Sequence, residues 1–308
     1  MLKQMKMSFW NKIKNNKIIF VIFFSCIILF CLFQVFKKRE FFDSEKQHFL
    51  SLCCIIKDEL YLEEFIIYHN LIGVEHFYIY DNDSNPAIKE ILNKEYYKKI
   101  CTIIDFPGKV QQLNAYNDCL KNFGKNTKWL IFIDGDEFIL PKKHDNLENF
   151  LKEYDDFDAI GINWMMFGSS FHEKKQSGFL IDKYRHCNKE QDKHVKSVIK
   201  PEKTLFFENP HFAKLIDDTK FVDPTKKQIS GHFNENITTH IIQINHYRTK
   251  SIEEQIIKKN KGTPDRIDKY YAIPNESSDN KMIDDLLPNK YLNSVIKKYN
   301  EINEVNDQ

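Results

Sequence analysis

Three carboxylates lie within four residues in the segment Asp134-Gly-Asp136-Glu137. Carboxylates this close repel one another, so their pKa values would rise unless a cation lay among them. A hard divalent ion with oxygen ligands is the natural partner. The segment follows an unbroken apolar run, residues 129–133, which predicts a buried strand of a parallel sheet. Since ligands of open α/β sheets bind outside the carboxyl ends of the strands, this segment is a candidate metal and ligand site.

The same segment allows other interpretations. Asp and Gly after a strand are common in ordinary solvated turns, so this pattern alone does not establish a metal site. A calcium-binding EF-hand loop does not fit, because Gly135 lies between the two Asp residues and the long series of Asp and Asn ligands is missing. Whether this segment is a metal site or an ordinary turn must therefore be judged from the elements that precede the strand.

Apolar runs typical of strands alternate with helical patterns in the first half of the chain. The strand-like runs are residues 52–56, 76–80, 100–104 and 129–133. This alternation predicts right-handed βαβ units, and hence an α/β fold with a Rossmann-like, mostly parallel sheet flanked by helices. Each predicted strand ends in polar or acidic residues, so those residues would meet at one crevice.

The N-terminal region has the pattern of a membrane anchor. Residues 18–36 are almost wholly apolar and, as a helix, would span about 28 Å, close to the roughly 30 Å of a hydrocarbon core. Basic residues follow directly, where a cleaved signal peptide would have small residues. Lysines are more numerous before the run than basic residues behind it, which favours a cytoplasmic N-terminus. The sequence thus predicts a cytoplasmic tail at 1–17, a transmembrane helix at 18–36 and a short stem at 37–47.

Composition and charge restrict the class of the remaining chain. It is long enough for one or two domains and rich enough in large apolar residues to bury a core. The formal net charge of +1 gives no electrostatic footprint for nucleic acid, so no nucleic-acid partner is expected. Five of the seven cysteines lie outside the predicted anchor, without zinc-type spacing. Prolines break the helical pattern beyond Gly262, which predicts a main domain at 48–262 and a polar C-terminal extension at 263–308.

Several motifs in a fixed order give the chain a family resemblance. They are Cys54-Ile-Ile-Lys57-Asp-Glu59, Gly73 to Ser84, Trp129 to Phe138, Trp164-Met-Met-Phe167-Gly168-Ser169-Ser170, His194-Val-Lys196-Ser-Val-Ile-Lys200-Pro201 and Asn245-His246-Tyr247-Arg248. Together they resemble glycosyltransferase family 92 and the related family 2-like group, over about residues 50–262. The resemblance implies a GT-A fold that binds a nucleotide sugar. One departure is Phe171, where the family commonly has a small residue.

The resemblance implies a divalent ion, Mn²⁺ or Mg²⁺, between the protein and the diphosphate of the donor. Asp134 and Asp136 would bind it, and Gly135 would let the backbone turn so that both carboxylates face the ion. His246 resembles the late histidine that completes the metal shell in many GT-A enzymes. A structural histidine held by a backbone carbonyl is the alternative. Mixed carboxylate and imidazole ligands would suit Mn²⁺.

The donor nucleotide is expected at the ends of the first strands. Asp81 and Asp83 follow the second strand, where such folds contact the base or ribose, although a loop-forming role competes with this interpretation. Lysines near the site could reach phosphate oxygens as point charges. Lys57 and Glu59, which follow the first strand at the same crevice, are further donor-binding candidates. The remaining candidates, for which an ordinary surface role is the alternative, are Gln111, Asn114, Lys196 and Lys200.

An inverting transfer also needs a base within about 2.6–3.2 Å of the acceptor hydroxyl. Glu137, His172 and Glu173 are candidates, and Glu137 is disfavoured if it supports the metal from behind its ligands. Trp164 and Phe167 could stack on a sugar or could equally belong to the core.

These features together predict a membrane-anchored, metal-dependent, inverting hexosyltransferase, for example a galactosyltransferase. Its donor would be a UDP-sugar and its acceptor a glycan or glycoconjugate. It would be a single-pass type II protein of the Golgi or endoplasmic reticulum in a eukaryote, or otherwise of a bacterial inner membrane or a virus-infected host membrane. The rivals are a noncatalytic GT-A-like binding module and a metal-dependent nucleotide-sugar hydrolase or nucleotidyltransferase. Intact acids at Asp134 and Asp136 argue against the first, and the lack of a Gly-rich phosphate loop after the first predicted strand argues against a nucleotidyltransferase.

Overall fold

A computed structural model describes residues 46–261 and 279–304 of the chain. The chain divides into two compact units, residues 1–47 and 48–308, and nearly all of the described residues belong to the second. No helix among the described residues is long and apolar enough to cross a membrane. The predicted transmembrane helix at 18–36 lies outside the part of the chain that the structure describes.

The first half of the second unit follows the predicted alternation of strands and helices. Its strands are β1 (His48–Ile56), β2 (His76–Asp81), β3 (Cys101–Asp105) and β4 (Thr127–Phe132). Its helices are α1 (Leu62–Leu71), α2 (Ile88–Ile91), α3 (Glu95–Ile100) and α4 (Gln112–Phe123). β1 pairs in parallel with β2 and β4, and β2 pairs in parallel with β3. The predicted parallel βαβ arrangement is confirmed for this half.

The second half of the sheet is mixed. Its strands are β5 (Glu137–Pro141), β6 (Ala159–Met166), β8 (Asp192–Ile199), β11 (Phe221–Val222) and β12 (Ile242–His246). Along the sheet the order is β3-β2-β1-β4-β8-β6-β12-β5, with β11 beside β6. β8 is antiparallel to β4 and β6, β12 is antiparallel to β5, and β6 is parallel to β12 and β11. The α/β class is therefore confirmed. Five of the eight strand pairings are parallel, so the sheet is mixed but mostly parallel, with β5 and β8 running opposite to the other strands.

Smaller elements complete the unit. Two short antiparallel sheets pair β9 (Thr204–Asn209) with β10 (Phe212–Leu215), and β7 (His186–Cys187) with β13 (Met282–Ile283). The remaining helices are α5 (Leu147–Lys152), α6 (Leu180–Lys183), α7 (Ile252–Lys261) and α8 (Leu286–Glu304). α1 packs against β5 and against α8. The described part of the predicted polar extension therefore packs on the domain.

Both faces of the sheet are buried, which explains the continuous apolar runs of the parallel strands. Alternate residues of a strand point to opposite faces. In β1, Leu52 and Cys54 belong to one apolar cluster, whereas Cys53 and Ile55 belong to the other. Complete burial of a side chain such as Leu52 contributes about 1.5–3 kcal/mol. The rigid sheet that results fixes the positions of the residues at the strand ends.

Candidate functional site

The acidic segment forms the tight connection between β4 and β5. The amide of Glu137 donates to the carbonyl oxygen of Asp134 at 3.1 Å, and the amide of Asp134 donates to Oε2 of Glu137 at 2.9 Å. Gly135 does not have a positive φ. A Cβ at this position would lie 2.5 Å from Cδ1 of Ile56, so glycine lets the connection approach β1 closely and is not required by unusual backbone angles. That differs from the role predicted from the sequence.

Asp134 is held on both carboxylate oxygens. Its Oδ1 accepts hydrogen bonds from Gln112 Nε2 at 2.5 Å and from the Tyr116 hydroxyl at 3.3 Å, and its Oδ2 accepts from Lys196 Nζ at 2.9 Å. Burial alone would raise the pKa of Asp134, but the Lys196 ammonium lowers it below its usual value. Burial would likewise lower the pKa of Lys196, but Asp134 and Glu137 raise it. This pair is therefore charged, and its carboxylate is fully engaged.

Asp136 and His246 meet because β12 lies along β5. His246 is opposite Glu137 in the antiparallel register, and the amide of Tyr247 donates to the carbonyl oxygen of Asp136 at 2.8 Å. Asp136 Oδ1 lies 3.6 Å from His246 Nε2, and its Oδ2 accepts from Lys258 Nζ at 2.7 Å. Burial would raise the pKa of Asp136, but Lys258 and His246 lower it. Burial lowers the pKa of His246 to about 4, so its ring is neutral at neutral pH.

Glu137 lies behind this connection. Its side chain is fully buried, and Lys196 Nζ is 3.8 Å from its Oε2. Within the described part of the chain its Oε1 has no hydrogen-bond partner. Burial raises the pKa of Glu137 well above its usual value. The side chain therefore supports Asp134 from behind and does not line the cavity in front of it.

A cavity of about 430 Å³ opens at the carboxyl ends of β1 and β4. The sequence-predicted residues that line it are Lys57, Glu59, Asp134, Asp136, Trp164, Lys196 and His246. Other lining residues come from later elements, namely His194, His211, Arg248, Thr249, Lys250 and Lys258. Its volume lies in the roughly 300–1,000 Å³ range of small-molecule sites. The segments that follow β1 and β4 thus supply four of the five lining acids, and later elements supply Glu254, the imidazoles and most of the lysines.

The family model for glycosyltransferase family 92 matches residues 51–283, which is 233 of the 308 residues. The chain belongs to glycosyltransferase family 92. A family 92 protein of Oryza sativa subsp. japonica is 26% identical over 208 residues, covering 66% of this chain and 34% of that protein. One of Arabidopsis thaliana is 26% identical over 227 residues, covering 64% of this chain and 39% of that protein. The chain thus spans between about a third and two fifths of the length of these relatives.

A distant structural similarity was also found. A crystal structure from Bacillus anthracis, titled as a glucose-1-phosphate thymidylyltransferase in complex with a sucrose, matches at 9% identity and a TM-score of 0.29. The match covers 54% of this chain and 68% of that one.

Other residues predicted for the donor site lie outside the cavity of this family 92 domain. Both oxygens of Asp81 accept backbone amides, from Ser84 and Ile88, each at 2.9 Å. Oδ2 of Asp83 accepts the amide of Gly108 at 3.3 Å. These contacts correspond to the loop-forming alternative. Gln111 and Asn114 bond to each other, with Asn114 Nδ2 donating to Gln111 Oε1 at 3.0 Å.

The remaining predicted residues are also away from the cavity. Lys200 Nζ donates to the carbonyl oxygen of Asp155 at 2.6 Å and lies 4.8 Å from the centre of a Trp129 ring. Nε2 of His172 is 3.0 Å from the carbonyl oxygen of Lys183. The carbonyl oxygen of Glu173 accepts the amide of Glu253 at 3.0 Å. None of Lys200, His172 and Glu173 lines the cavity.

Several cavity residues were not predicted as site residues. Lys250 Nζ donates to Glu59 Oε1 at 2.6 Å, and Glu254 and Lys258 follow at intervals of four residues. This spacing places Glu254 and Lys258 on one face of α7. Helical spacing after the Tyr247-Arg248 motif was therefore a signal that could have indicated these residues.

Proposed function

We propose that this family 92 protein transfers a sugar from a nucleotide sugar, with UDP as the expected nucleotide, to a hydroxyl group of a glycan or glycoconjugate. The observation that carries this proposal is the pair formed by Asp136 and His246, whose facing atoms lie 3.6 Å apart in a cavity at the strand ends. Such a crevice is where open α/β sheets bind their ligands. The family membership supports the same reaction class. We also propose inversion at the anomeric carbon.

We further propose that Asp136 and His246 bind a divalent ion, Mn²⁺ or Mg²⁺. Bonds from such ions to oxygen or nitrogen are about 2.0–2.2 Å long, so two ligands of one ion lie no more than about 4.4 Å apart. The observed separation of 3.6 Å satisfies this limit. Asp134 fits less well as a ligand, because both its oxygens accept hydrogen bonds. When bound, the ion would neutralise charge on the departing diphosphate.

Other ligands of that ion would be oxygens of the donor and water. Within residues 46–261 and 279–304, no group of three His, Cys, Asp or Glu side chains is arranged to hold a metal. His246 Nδ1 has no hydrogen-bond partner among the described residues, and it lies 3.9 Å from Glu137 Oε1. A carboxyl group near the second nitrogen of a metal-binding histidine orients the ring. Glu137 is suitably placed for this role.

The lysines of the cavity suit an anionic donor. Lys196 and Lys250 each form an ion pair with a carboxylate, Asp134 or Glu59, at 2.9 and 2.6 Å. An ammonium group has three donors, so each can bond a phosphate oxygen while keeping its carboxylate. Both side chains are held in place by these pairs, which lowers the entropy lost when a diphosphate binds. This arrangement supports the proposed nucleoside diphosphate site.

A nucleotide screen by thermal denaturation tests the proposed donor site. UDP with Mn²⁺ should stabilise the full chain by about 2.7 kcal/mol at a hundredfold excess over Kd, and GDP and CMP should not. A transfer assay with UDP-sugars then tests the reaction. A shift with GDP or CMP alone would reassign the donor. Absence of a shift with every nucleotide would favour the noncatalytic binding module.

Membrane attachment through residues 18–36 is a separate proposal. The asymmetry of basic residues across this segment supports a cytoplasmic N-terminus in a Golgi or endoplasmic reticulum membrane, or in a bacterial inner membrane or virus-infected host membrane. In sealed microsomes, protease added outside should leave residues 48–308 intact. Digestion of that region in intact vesicles would contradict the type II orientation.

A further inference from the structure

We infer that His194, oriented by Asp192, accepts the proton of the acceptor hydroxyl. The inference rests on the proposed function, because this proton is released only if a hydroxyl group attacks the donor sugar. The proposed transfer requires such a base, and the cavity of this domain offers one dyad with suitable geometry.

The dyad is formed within β8. His194 Nδ1 lies 2.6 Å from Asp192 Oδ1, and the same oxygen accepts the backbone amide of His194 at 2.8 Å. A carboxylate at Nδ1 favours the tautomer with its proton there, which leaves the lone pair on Nε2. Among the described residues, no protein group hydrogen-bonds to Nε2 of His194. About a third of each side chain is exposed, and His194 lines the cavity.

Trp164 connects this dyad to the proposed diphosphate site. Its ring stacks on His194, with centroids 5.1 Å apart and planes inclined by 25°. The same indole lies 4.5 Å from the ring of His246, which faces Asp136. Trp164 is buried, and its Nε1 has no hydrogen-bond partner in the described part of the chain. A sugar held through its diphosphate at Asp136 would therefore extend along Trp164 towards His194.

The other cavity acids are already engaged. Each of three carboxylates forms an ion pair with a lysine, and a fourth accepts hydroxyl groups. The ion pairs are Glu59 with Lys250, Asp134 with Lys196, and Asp136 with Lys258. Glu254 accepts from the hydroxyls of Tyr61, Tyr184 and Ser251. Asp58 accepts the amide of Asn85 at 2.6 Å.

The other imidazoles of the cavity are weaker candidates. His211 packs against the same tryptophan, with centroids 5.1 Å apart, but its Nδ1 bonds the carbonyl oxygen of Val195 at 3.0 Å. Burial, together with the nearby Lys196 ammonium, lowers the pKa of His211 to about 4, which makes it a weak base at neutral pH. His246 faces Asp136 and is the proposed metal ligand. Among the described residues, Nδ1 of neither ring has a carboxylate at hydrogen-bond distance, as His194 has in Asp192: Nδ1 of His246 lies 3.9 Å from Glu137 Oε1, and Nδ1 of His211 bonds a carbonyl oxygen.

The proposed step balances without any further reactant. The acceptor oxygen forms a bond to the anomeric carbon as its O–H bond breaks, and the proton passes to His194 Nε2. The bond from the anomeric carbon to the diphosphate oxygen breaks, and its electron pair leaves with the nucleoside diphosphate. Asp192 stabilises the imidazolium ion that forms, and water then takes the proton from it.

Replacement of His194 tests the inference. His194→Ala should lower kcat by about 10²–10⁴-fold, because a positioned base contributes that much, while the Kd for UDP stays unchanged. Added imidazole should restore part of the rate, since it can occupy the vacated space. Asp192→Asn should lower kcat by about tenfold or more without raising the KM for the donor, because the tautomer is no longer fixed. The matched control is His232→Ala, which removes an exposed ring 6.2 Å from His194 that does not line the cavity.

The outcomes separate this inference from the proposed function. A His194→Ala rate within about threefold of wild type, a parallel loss of UDP affinity, or no rescue by imidazole overturns the role of His194 as base. A wild-type protein that binds UDP but transfers no sugar overturns the proposed function instead. If His194→Ala does not fold, His194→Asn decides the question, because its amide can still donate to Asp192 but cannot take up a proton.

Discussion

The ends of β2 and β4 carry the same residue types but hold them with different partners. After β2, both oxygens of Asp81 accept backbone amides and close a loop. After β4, Asp134 and Asp136 accept hydrogen bonds from the side chains of Lys196 and Lys258. Backbone partners fix the path of the chain. A lysine partner can instead release its carboxylate to bind an anionic ligand, or it can bind the carboxylate and the ligand together. Acids lie at the ends of both strands, so their position does not distinguish the two ends. The hydrogen-bond partners of each acid distinguish a structural strand end from a candidate reactive one.

The largest effect is expected at the end of β4. Asp136→Asn keeps the shape of the side chain but removes a negative charge from the proposed metal site. Loss of one electrostatic stabiliser of the transition state costs about 2.7–4 kcal/mol, so the transfer rate should fall by roughly 100- to 1,000-fold. Steady-state kinetics at limiting Mn²⁺ would measure it.

Asp105→Asn is the control for that prediction. Asp105 ends β3 and is also acidic, but it is exposed and lies 3.7 Å from Lys89. Its replacement should leave transfer at the wild-type rate. Near wild-type transfer by Asp136→Asn, or equal losses of transfer in both variants, would show that the acids at the ends of β3 and β4 do not differ in their role in transfer.

At the end of β2 the expected effect is on stability. Asp81→Ala leaves the amides of Ser84 and Ile88 without their acceptor, at a cost of about 2–3 kcal/mol. Urea unfolding followed by circular dichroism would measure the free energy of unfolding. Asp136→Asn should lose less stability in the same assay. The reverse order would show that the β2 loop is not held by its carboxylate.

Glu64 is a second acid that backbone amides hold, as they hold Asp81, but its effect on stability should depend on pH. Its buried carboxyl group, in α1, accepts the amides of Leu180 and Ile181 at 2.6 and 3.0 Å. Burial, which outweighs these hydrogen bonds, raises its pKa from 4.5 to about 8. Between these values the folded state binds more protons than the unfolded state, so its contribution to stability falls as pH rises.

The expected slope is about 1.4 kcal/mol lost per pH unit between pH 6 and 7. Urea unfolding at several pH values would measure it. Glu64→Gln cannot titrate and should remove this part of the slope. An identical slope in the variant would show that Glu64 is ionised in the folded protein throughout this range.

The smallest effect concerns Gly135. A Cβ there would lie 2.5 Å from Cδ1 of Ile56, so Gly135→Ala should cost about 1 kcal/mol of stability through overpacking. Ile56→Val removes the clashing methyl group, and the cost of Gly135→Ala should be smaller in that background. A double-mutant cycle measured by urea unfolding tests the coupling. Strictly additive effects would mean that contact with Ile56 is not the reason for glycine.

Much of the parallel half could be predicted because its signals are local. Continuous apolar runs mark β1, β2, β3 and β4, since both sheet faces are buried. The acidic connection after β4 could be located in the same way. The Asp192–His194 dyad also carried a local signal, since residues two apart on a strand share a face. The mixed order of the second half had no such signal, because β8 is antiparallel to both of its neighbours and β12 pairs with β5 and β6, which are distant in the sequence.

The sequence by itself determined the fold class, the parallel strands and the acids at their ends. Only the tertiary structure decided which of those acids face a cavity. Lys196 is 62 residues from Asp134, and Lys258 is 122 residues from Asp136. No local periodicity specifies contacts over such separations, because they depend on how distant strands and α7 pack around the sheet. For Asp81 the partners lie three and seven residues away, so its role is a property of the loop, whereas the roles of Asp134 and Asp136 are properties of the whole fold.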